Sequence, residues 1–507
     1  MGYLTERIAA TLAGPRDAPA IQFKGDWTSW GEVADIAQGL GRLFDAFGLG
    51  KGAAIGCALR NHPASAAAMI GVVAGERCLM TFNALSPDDR LAADVLTARV
   101  PAFVAEAADW ERASLREAVL QVGAVGISLT GDPANPVELV PGLERLGSGP
   151  HQEPLPDVAV LMLTSGTTGP PKRIPLKLAV LERQLVEAAG GQRHDKPGEA
   201  APILAAGVGI MSGSLVHIGG VWGVLGPAIA GRATCMLERF TVEDWRRAVV
   251  EHRPKASGAP PAALRMILDA NIPKEDLSSL VSLGAGTAAL DPSIVDEFLA
   301  RYDLPVLSNY GATEFAGGVA SWSLRGFRDF WATKRGAVGR IHKGIEARIV
   351  DPETDTEQPM GAEGVLELQG FAAGDGESWV RTTDRAVLDA DRFLWIRGRI
   401  DNAINRGGFK VQPDDVVAAL EQHPDIREAA VVGVPDRRLG EVPVAAIVLK
   451  SGAPRPSDIE LTGWVRGRLV AYCVPTAFRV VDDLPRTPSM KVSAPAVREL
   501  FTPGSPA

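Results

Sequence analysis

Residues 291–314 read DPSIVDEFLARYDLPVLSNYGATE, a helix pattern that runs straight into a strand pattern. Asp291 suits a helix cap, and Pro292 suits the first turn, where its missing N–H costs nothing. Ile294, Val295, Phe298, Leu299 and Tyr302 then fall on one face of a helix. LPVLSNYGATE (304–314) follows as a strand leading into a loop. The alternation recurs elsewhere. AAIGCAL (53–59) reads as a short apolar strand, and VAVLML (158–163) as a buried one. GVVAGERCLMTFNALSPDDRLAADVL (71–96) reads as helix end, strand, turn and helix. A chain that alternates in this way folds as α/β, with sheets flanked by helices.

Two stretches depart from the alternation. Residues 131–157 are rich in Pro, Gly and acids and predict a loop. Residues 336–398 hold several short strand patterns separated by turn residues, which predicts a small β-rich subdomain. Beyond 398 come DDVVAALEQH and SDIELTGWVRGRLV as helices, with AAVVGV and VAAIVL as strands. About a hundred residues are enough for a compact α+β C-terminal domain. At 507 residues the chain exceeds one core. The expected domains are a large N-terminal domain over 1–398 and a small C-terminal domain over 399–507.

A net charge of -9 argues against a nucleic-acid partner, which calls for a basic stripe. Four cysteines, Cys57, Cys78, Cys235 and Cys473, lack the spacing of a disulfide framework or a zinc site and are expected as small buried hydrophobes. The N-terminus has no apolar core of signal-peptide length, and no apolar run matches a bilayer span. A cytoplasmic protein with no membrane span is expected.

Residues 163–176, LTSGTTGPPKRIPL, raise the question of a phosphate site. Backbone N–H groups of a Gly-rich turn form an anion-binding concavity, hydroxyls add donors, and a lysine adds a point charge. The spacing is not that of a Walker loop, because Pro170 and Pro171 separate Gly169 from Lys172 and oppose helix formation. A flap that grips phosphate and a solvated turn both remain open here.

Four later stretches offer further chemistry. SNYGATEFAGG (308–318) has an aromatic face at Tyr310, close approach at Gly311, a hydroxyl at Thr313 and a carboxylate at Glu314 suited to a hard cation. RTTDRAVLD (381–389) offers Asp384 to a diol or to an Asx turn. GRIDNAINRGGFKVQP (398–413) is either a charged linker or a site with Arg399, Asp401, Gly407, Gly408 and Lys410. LPRTPSMKVS (484–493) ends in Lys491, which on its own reads as solvated.

In this order, SGTTGPPK, YGATE, TTD, GRIDN with GGFKVQP, and RTPSMK resemble the motif series of the adenylate-forming superfamily. That superfamily includes acyl-CoA synthetases, peptide-synthetase adenylation domains and luciferases. The resemblance covers nearly the whole chain and is strongest to an AMP-forming acyl-CoA synthetase. It implies that Thr164, Ser165, Gly166, Thr167, Thr168, Gly169 and Lys172 hold the β- and γ-phosphates of ATP. It implies that Tyr310 stacks on adenine, Gly311 lets the backbone lie close, Thr313 meets the α-phosphate, and Glu314 binds Mg²⁺. Gly284, Ala285 and Asn309 join the nucleotide set, and Asp384 and Arg399 hold the ribose. Lys491 bridges the substrate carboxylate and the α-phosphate. Asp401 is the hinge of a mobile C-terminal domain, and Gly407, Gly408 and Lys410 line a tunnel for the incoming thiol.

The implied chemistry is adenylation of a carboxylic acid with pyrophosphate release, then transfer to CoA. A carrier-protein thiol is the alternative acceptor. Three segments, VHIGG (216–220), LGAGTA (283–288) and LSNYG (307–311), match the acyl pocket. They point to His217, Gly219, Gly220, Gly284, Gly286, Gly311 and Gly317, with His217 also in the catalytic set. MSGSLVH has no acid to pair with an ammonium, which favours a hydrophobic acid over an α-amino acid. The chain departs from the motifs at Thr383 and Met490, both in place of glycine, and at Val380 in place of tyrosine. The stretch from Gly370 to Arg381 is also short, with Trp379 its one tryptophan.

Overall fold

The computed structural model describes residues 2–163, 173–188, 204–286, 288–372, 376–406, 409–436, 438–487 and 490–502; at 187, 188, 401 and 410 it describes the backbone alone. Contacts divide the chain into two compact units, one carried mainly by residues up to Val319 and one mainly by Ala320–Ala507.

In the first unit, β1 (Ala54–Leu59), α1 (Pro63–Ala74), β2 (Cys78–Asn83), α2 (Asp88–Ala98), β3 (Ala102–Glu106), α3 (Ala113–Val122) and β4 (Val125–Leu129) alternate along the chain. β5 (Val158–Leu163) joins them later. These strands pair parallel in the order β4-β3-β1-β2-β5. All six residues of β1 are buried. Ile55, Cys57 and Leu59 share one core with Ala66, Ile70 and Val73 of α1. Ala54 and Ala58 share another with Leu91 and Val95 of α2 and with Leu115 and Val119 of α3. Water reaches neither face, which is why the strand reads as an unbroken apolar run. Residues 131–157 are not wholly loop, as the sequence predicts. Val137–Leu139 pairs antiparallel with β4 and satisfies that strand's open edge.

A second sheet sets Pro19–Phe23 between Asp26–Ser29 and Arg232–Met236, with Ala205–Met211 beyond. α4 (Ile218–Ala230) runs between two of its strands. Further along, β6 (Ser282–Ala285) and β7 (Val306–Ala312) pair parallel. Between them lies helix Pro292–Tyr302, capped by Asp291, whose carboxylate accepts the Ser293 N–H at 2.8 Å. It buries Ile294, Val295, Phe298 and Tyr302, with Leu299 half-buried at the edge of the stripe. Full burial of such side chains is worth about 1.5–3 kcal/mol each.

The second unit holds an antiparallel sheet in which β8 (Val380–Leu388) pairs with β9 (Phe393–Arg399) and with Glu363–Gly370, as the β-rich reading of 336–398 predicts. α5 (Pro413–Glu421) then leads into a long hairpin of β10 (Ile426–Asp436) and β11 (Gly440–Leu449). Val416 and Leu420 of α5, Val431 of β10, Ala445 and Ile447 of β11, and Leu461 and Val465 form one core. The sequence boundary at 398/399 lies inside this unit, at the end of β9.

Candidate active site

β6 ends against the middle of β7, which runs on to Ala312. Their register sets Gly284 against Leu307 and Ala285 against Ser308. Gly286 and Asn309 follow in contact, and a Cβ on Gly286 would lie 2.8 Å from Asn309 Oδ1. Carboxyl ends of parallel strands are where open α/β sheets take ligands. Tyr310 is half-buried there, while Asn309 and Gly311 are exposed. Gly311 is fixed as glycine by close approach, since a Cβ would lie 2.0 Å from the Gly317 carbonyl oxygen.

Thr313–Phe315 form a short 3₁₀ turn that closes on Ala316, which adopts φ 55. Two side chains from distant helices pin it. Trp222 of α4 donates Nε1–H to the Ala316 carbonyl at 3.0 Å. Gln184, buried on Leu178–Ala188, donates to the carbonyls of Gly318 at 3.1 Å and Phe315 at 3.4 Å. Glu314 is exposed at the tip of this pinned turn. The same Trp222 ring lies 2.7 Å from where a Gly317 Cβ would be.

His217 begins α4, and its carbonyl accepts the N–H groups of Gly220 and Val221 at 2.9 and 3.1 Å. Trp222 therefore ties the helix bearing His217 and Gly219 to the turn bearing Glu314. The glycines here differ in purpose. Gly219 has nothing within 4 Å of a Cβ position. At Gly220 that position lies 2.1 Å from the Ser214 carbonyl oxygen, so this glycine serves backbone packing.

In the second unit, Asp384 of β8 stands opposite Arg399 of β9. Asp384 N–H donates to the Thr382 hydroxyl at 3.1 Å, and that hydroxyl donates to the Leu366 carbonyl at 2.8 Å. Arg399 donates to the Thr383 hydroxyl from Nε at 3.0 Å and from Nη2 at 2.7 Å. The end of β9 is held further by α5. Asp414 is exposed as a residue, but packing against the end of β9 desolvates its carboxyl and raises it above its usual range, against the opposing pull of the Arg399 backbone N–H it accepts. A Cβ on Gly398, at φ 114, would lie 2.3 Å from Asp414 Oδ2. Asp415 pairs with Arg385 at 2.7 Å.

Lys491 is exposed on a narrow hairpin. Arg486 bridges Val492, Thr487 N–H donates to the Lys491 carbonyl at 2.8 Å, and Met490 N–H donates to the Thr487 carbonyl at 2.8 Å. Met490 adopts φ 65. Of the other sequence candidates, Thr164, Ser165, Gly166, Thr167, Thr168, Gly169, Lys172, Gly407 and Gly408 lie outside the described residues, as do the side chains of Asp401 and Lys410.

A family model described as AMP-binding enzyme matches residues 8–374, and its C-terminal domain model matches residues 416–491. The chain belongs to the AMP-binding enzyme family. It is similar to the sulfoacetate–CoA ligase of Cupriavidus necator, 31% identical over 510 aligned residues that cover 96% of each protein. It is also similar to 4-coumarate–CoA ligase-like 9 of Arabidopsis thaliana, 30% identical over 354 residues, 66% of this chain and 61% of that protein. Its fold is that of ATP-bound MatB from Rhodopseudomonas palustris, with a TM-score of 0.80 at 22% identity over 98% of this chain and 99% of that one.

Several residues of this AMP-binding enzyme escape a reading of motifs. Gln184 and Trp222 pin the Glu314 turn, and Asp414 and Asp415 hold the end of β9. Only Trp222 leaves a trace in the sequence, as an indole whose N–H needs an acceptor when buried. The four cysteines are free and buried, and burial raises each thiol, Cys78 to about 12 and Cys235 to about 11. Among the described residues no group of three or more His, Cys, Asp or Glu could hold a metal, and no helix is long and apolar enough to cross a membrane.

Proposed function

We infer that this enzyme is an ATP-dependent carboxylic acid–CoA ligase that forms AMP. The observation that carries the reading is the end-to-end match, 96% of both chains, to a protein named as an acid–CoA ligase. The motif residues described above supply the chemistry it needs. A carboxylate oxygen attacks the α-phosphorus of ATP, the bond to pyrophosphate breaks, and an acyl-adenylate forms. Two anions must meet, so the barrier is charge crowding, and oriented cations and donors lower it. Tyr310 stacks on adenine, Asp384 and Arg399 hold the ribose, Thr313 meets the α-phosphate, and Lys491 bridges the reacting groups. The thiol of CoA then attacks the acyl carbonyl, its proton leaves to solvent, and AMP departs.

Glu314 fits a Mg²⁺ ion. An exposed carboxylate on a rigid turn matches a cation that keeps several waters and takes its other ligands from substrate phosphates. When bound, the ion neutralises phosphate charge. In the thiol step the C-terminal residues turn about Asp401, withdrawing Lys491 and presenting Gly407, Gly408 and Lys410 to the thiol.

An uncharged acyl group is favoured. MSGSLVHIGGVW (211–222) has neither an acidic side chain nor a lysine or arginine, so it offers no fixed cation to a sulfonate and no anion to an ammonium. A panel of hexanoate, benzoate, 4-coumarate, malonate and sulfoacetate tests both points. Pyrophosphate release that needs ATP, Mg²⁺ and an acid, with CoA consumed in step, is the expected result. Absence of pyrophosphate release and of ATP exchange with every acid defeats the ligase reading. Adenylate formation without CoA consumption shifts the acceptor to a carrier-protein thiol. Turnover of sulfoacetate alone overturns the uncharged-acyl assignment.

A further inference from the structure

Glu428 sits on β10, opposite Val448 of β11. Both of its carboxylate oxygens lie 2.7 Å from Arg486 Nη2. The two side chains are only 25% and 14% exposed. Arg486 Nη1 also donates to the Met490 carbonyl at 3.3 Å. Arg486 thus joins the sheet of the C-terminal region to the peptide immediately before Lys491. It also begins the hairpin, bridging Val492 across from it.

That peptide needs holding. Met490 adopts φ 65, a left-handed conformation that crowds the Cβ of an L-residue and is natural for glycine. Glycine is the usual residue for such a conformation, and here methionine stands in its place. Without a donor on its carbonyl, the Met490 peptide is free to turn over toward extended geometry. The Lys491 side chain would then leave on a different vector. The Arg486 hydrogen bond opposes that flip, and Glu428 keeps Arg486 in place.

We propose that Glu428 and Arg486 are positioning residues for Lys491, fixing the left-handed Met490 peptide from which the lysine reaches the reacting carboxylate and α-phosphate. The proposal rests on the ligase reading only for the job of Lys491. The hydrogen bonds that set the hairpin stand apart from it. An ion pair serving only stability would affect both half-reactions alike. A positioning pair affects adenylation, where Lys491 acts, and spares thioester formation, where it is withdrawn.

Two variants test this. Glu428→Gln keeps the shape and removes the charge. Arg486→Lys keeps the charge and removes the fork that reaches two partners. ATP–pyrophosphate exchange, with whichever acid of the panel turns over, reads adenylation. Thioester formation from the supplied acyl-adenylate of that acid reads the second step. A small displacement of a catalytic group is expected to slow exchange about 10- to 100-fold in both variants, with the second step within about twofold. Amide hydrogen exchange at Thr487 and Met490 is expected to quicken about tenfold, while β10 and β11 stay protected. Equal loss in both half-reactions, or in neither, overturns the proposal. If no acid turns over with the unaltered protein, the ligase reading fails, and hydrogen exchange decides alone. Unchanged protection at Thr487 and Met490 in Arg486→Lys overturns the positioning role. Should Glu428→Gln fail to fold, Arg486→Lys carries both readouts.

Discussion

The Thr383 hydroxyl accepts two hydrogen bonds from one guanidinium, that of Arg399, at 3.0 Å from Nε and 2.7 Å from Nη2. Glycine at this position would leave Arg399 without that anchor. If Arg399 holds ribose as proposed above, the hydroxyl pre-orients it and reduces the order that ATP must impose on binding. A hydrogen bond with a charged partner is worth about 1.5–3 kcal/mol when sheltered. Thr383 is exposed and Arg399 only half-buried here, so roughly 1 kcal/mol, or about a fivefold change, is expected. Thr383→Val should raise KM for ATP about fivefold with kcat little changed, and Thr383→Ser should restore it. Steady-state kinetics at saturating acid and CoA checks this. A KM that falls in Thr383→Val would mean that the hydroxyl holds Arg399 away from ribose.

Gly311→Ala should disable adenylation. The new Cβ would lie 2.0 Å from the Gly317 carbonyl oxygen and 2.8 Å from Gly318 Cα, and both are backbone atoms in a pinned turn. Relief requires moving the turn that carries Thr313 and Glu314. A loss of about 10²-fold in pyrophosphate exchange is expected, with about 1–3 kcal/mol of lost stability. Exchange assays paired with thermal melts separate the two. An enzyme with unchanged exchange would show that the turn can shift without cost to the site.

How much of this was legible in the chain follows from how local each cause is. The helix over 291–302 announces itself because its cap and its stripe both lie within twelve residues. β1 and β5 announce themselves because burial on both faces demands apolar side chains throughout. Val137–Leu139 gives no such signal, since three residues become a strand only because β4 leaves an edge open. The partners that hold the site are less local still. Trp222 reaches Ala316 across 94 residues, and Gln184 reaches Gly318 across 134. Thr383 stands out as a departure from a motif, but its role depends on the register of β8 against β9, which shifts between Arg385 and Ala386. Motifs display the groups that meet substrate. The side chains that orient those groups are chosen by packing, and a sequence shows them only once the register is known.

All four thiols should be silent in the folded protein. Cys57, Cys78, Cys235 and Cys473 are buried, and burial raises each thiol, so little thiolate exists at neutral pH. Titration with a thiol-reactive dye at pH 7.5 is expected to show no fast-reacting group, and all four should react in guanidinium. Fast labelling of any one in the native protein would place it in an opening region and would contradict a purely packing role.

Asp414 makes stability depend on pH in an unusual direction. Its carboxyl is raised above the ordinary 3.8 by local desolvation against the end of β9, although the residue is exposed and the Arg399 N–H it accepts pulls the other way. Between 3.8 and the raised folded value, the folded chain therefore holds this proton more tightly than the unfolded chain does. Stability from this group is present below the unfolded value and is lost as pH rises through the folded one. Asp414→Asn keeps an oxygen for the Arg399 N–H and removes the partly desolvated charge. It should melt higher than the unaltered protein at pH 8, and the difference should shrink as pH falls through the raised folded value and the native carboxyl takes up its proton. Melting curves of both proteins across that range, at constant ionic strength, measure the difference directly. An offset that is flat with pH would show that Asp414 ionises normally. An offset that grows as pH falls would show that the Arg399 N–H outweighs desolvation.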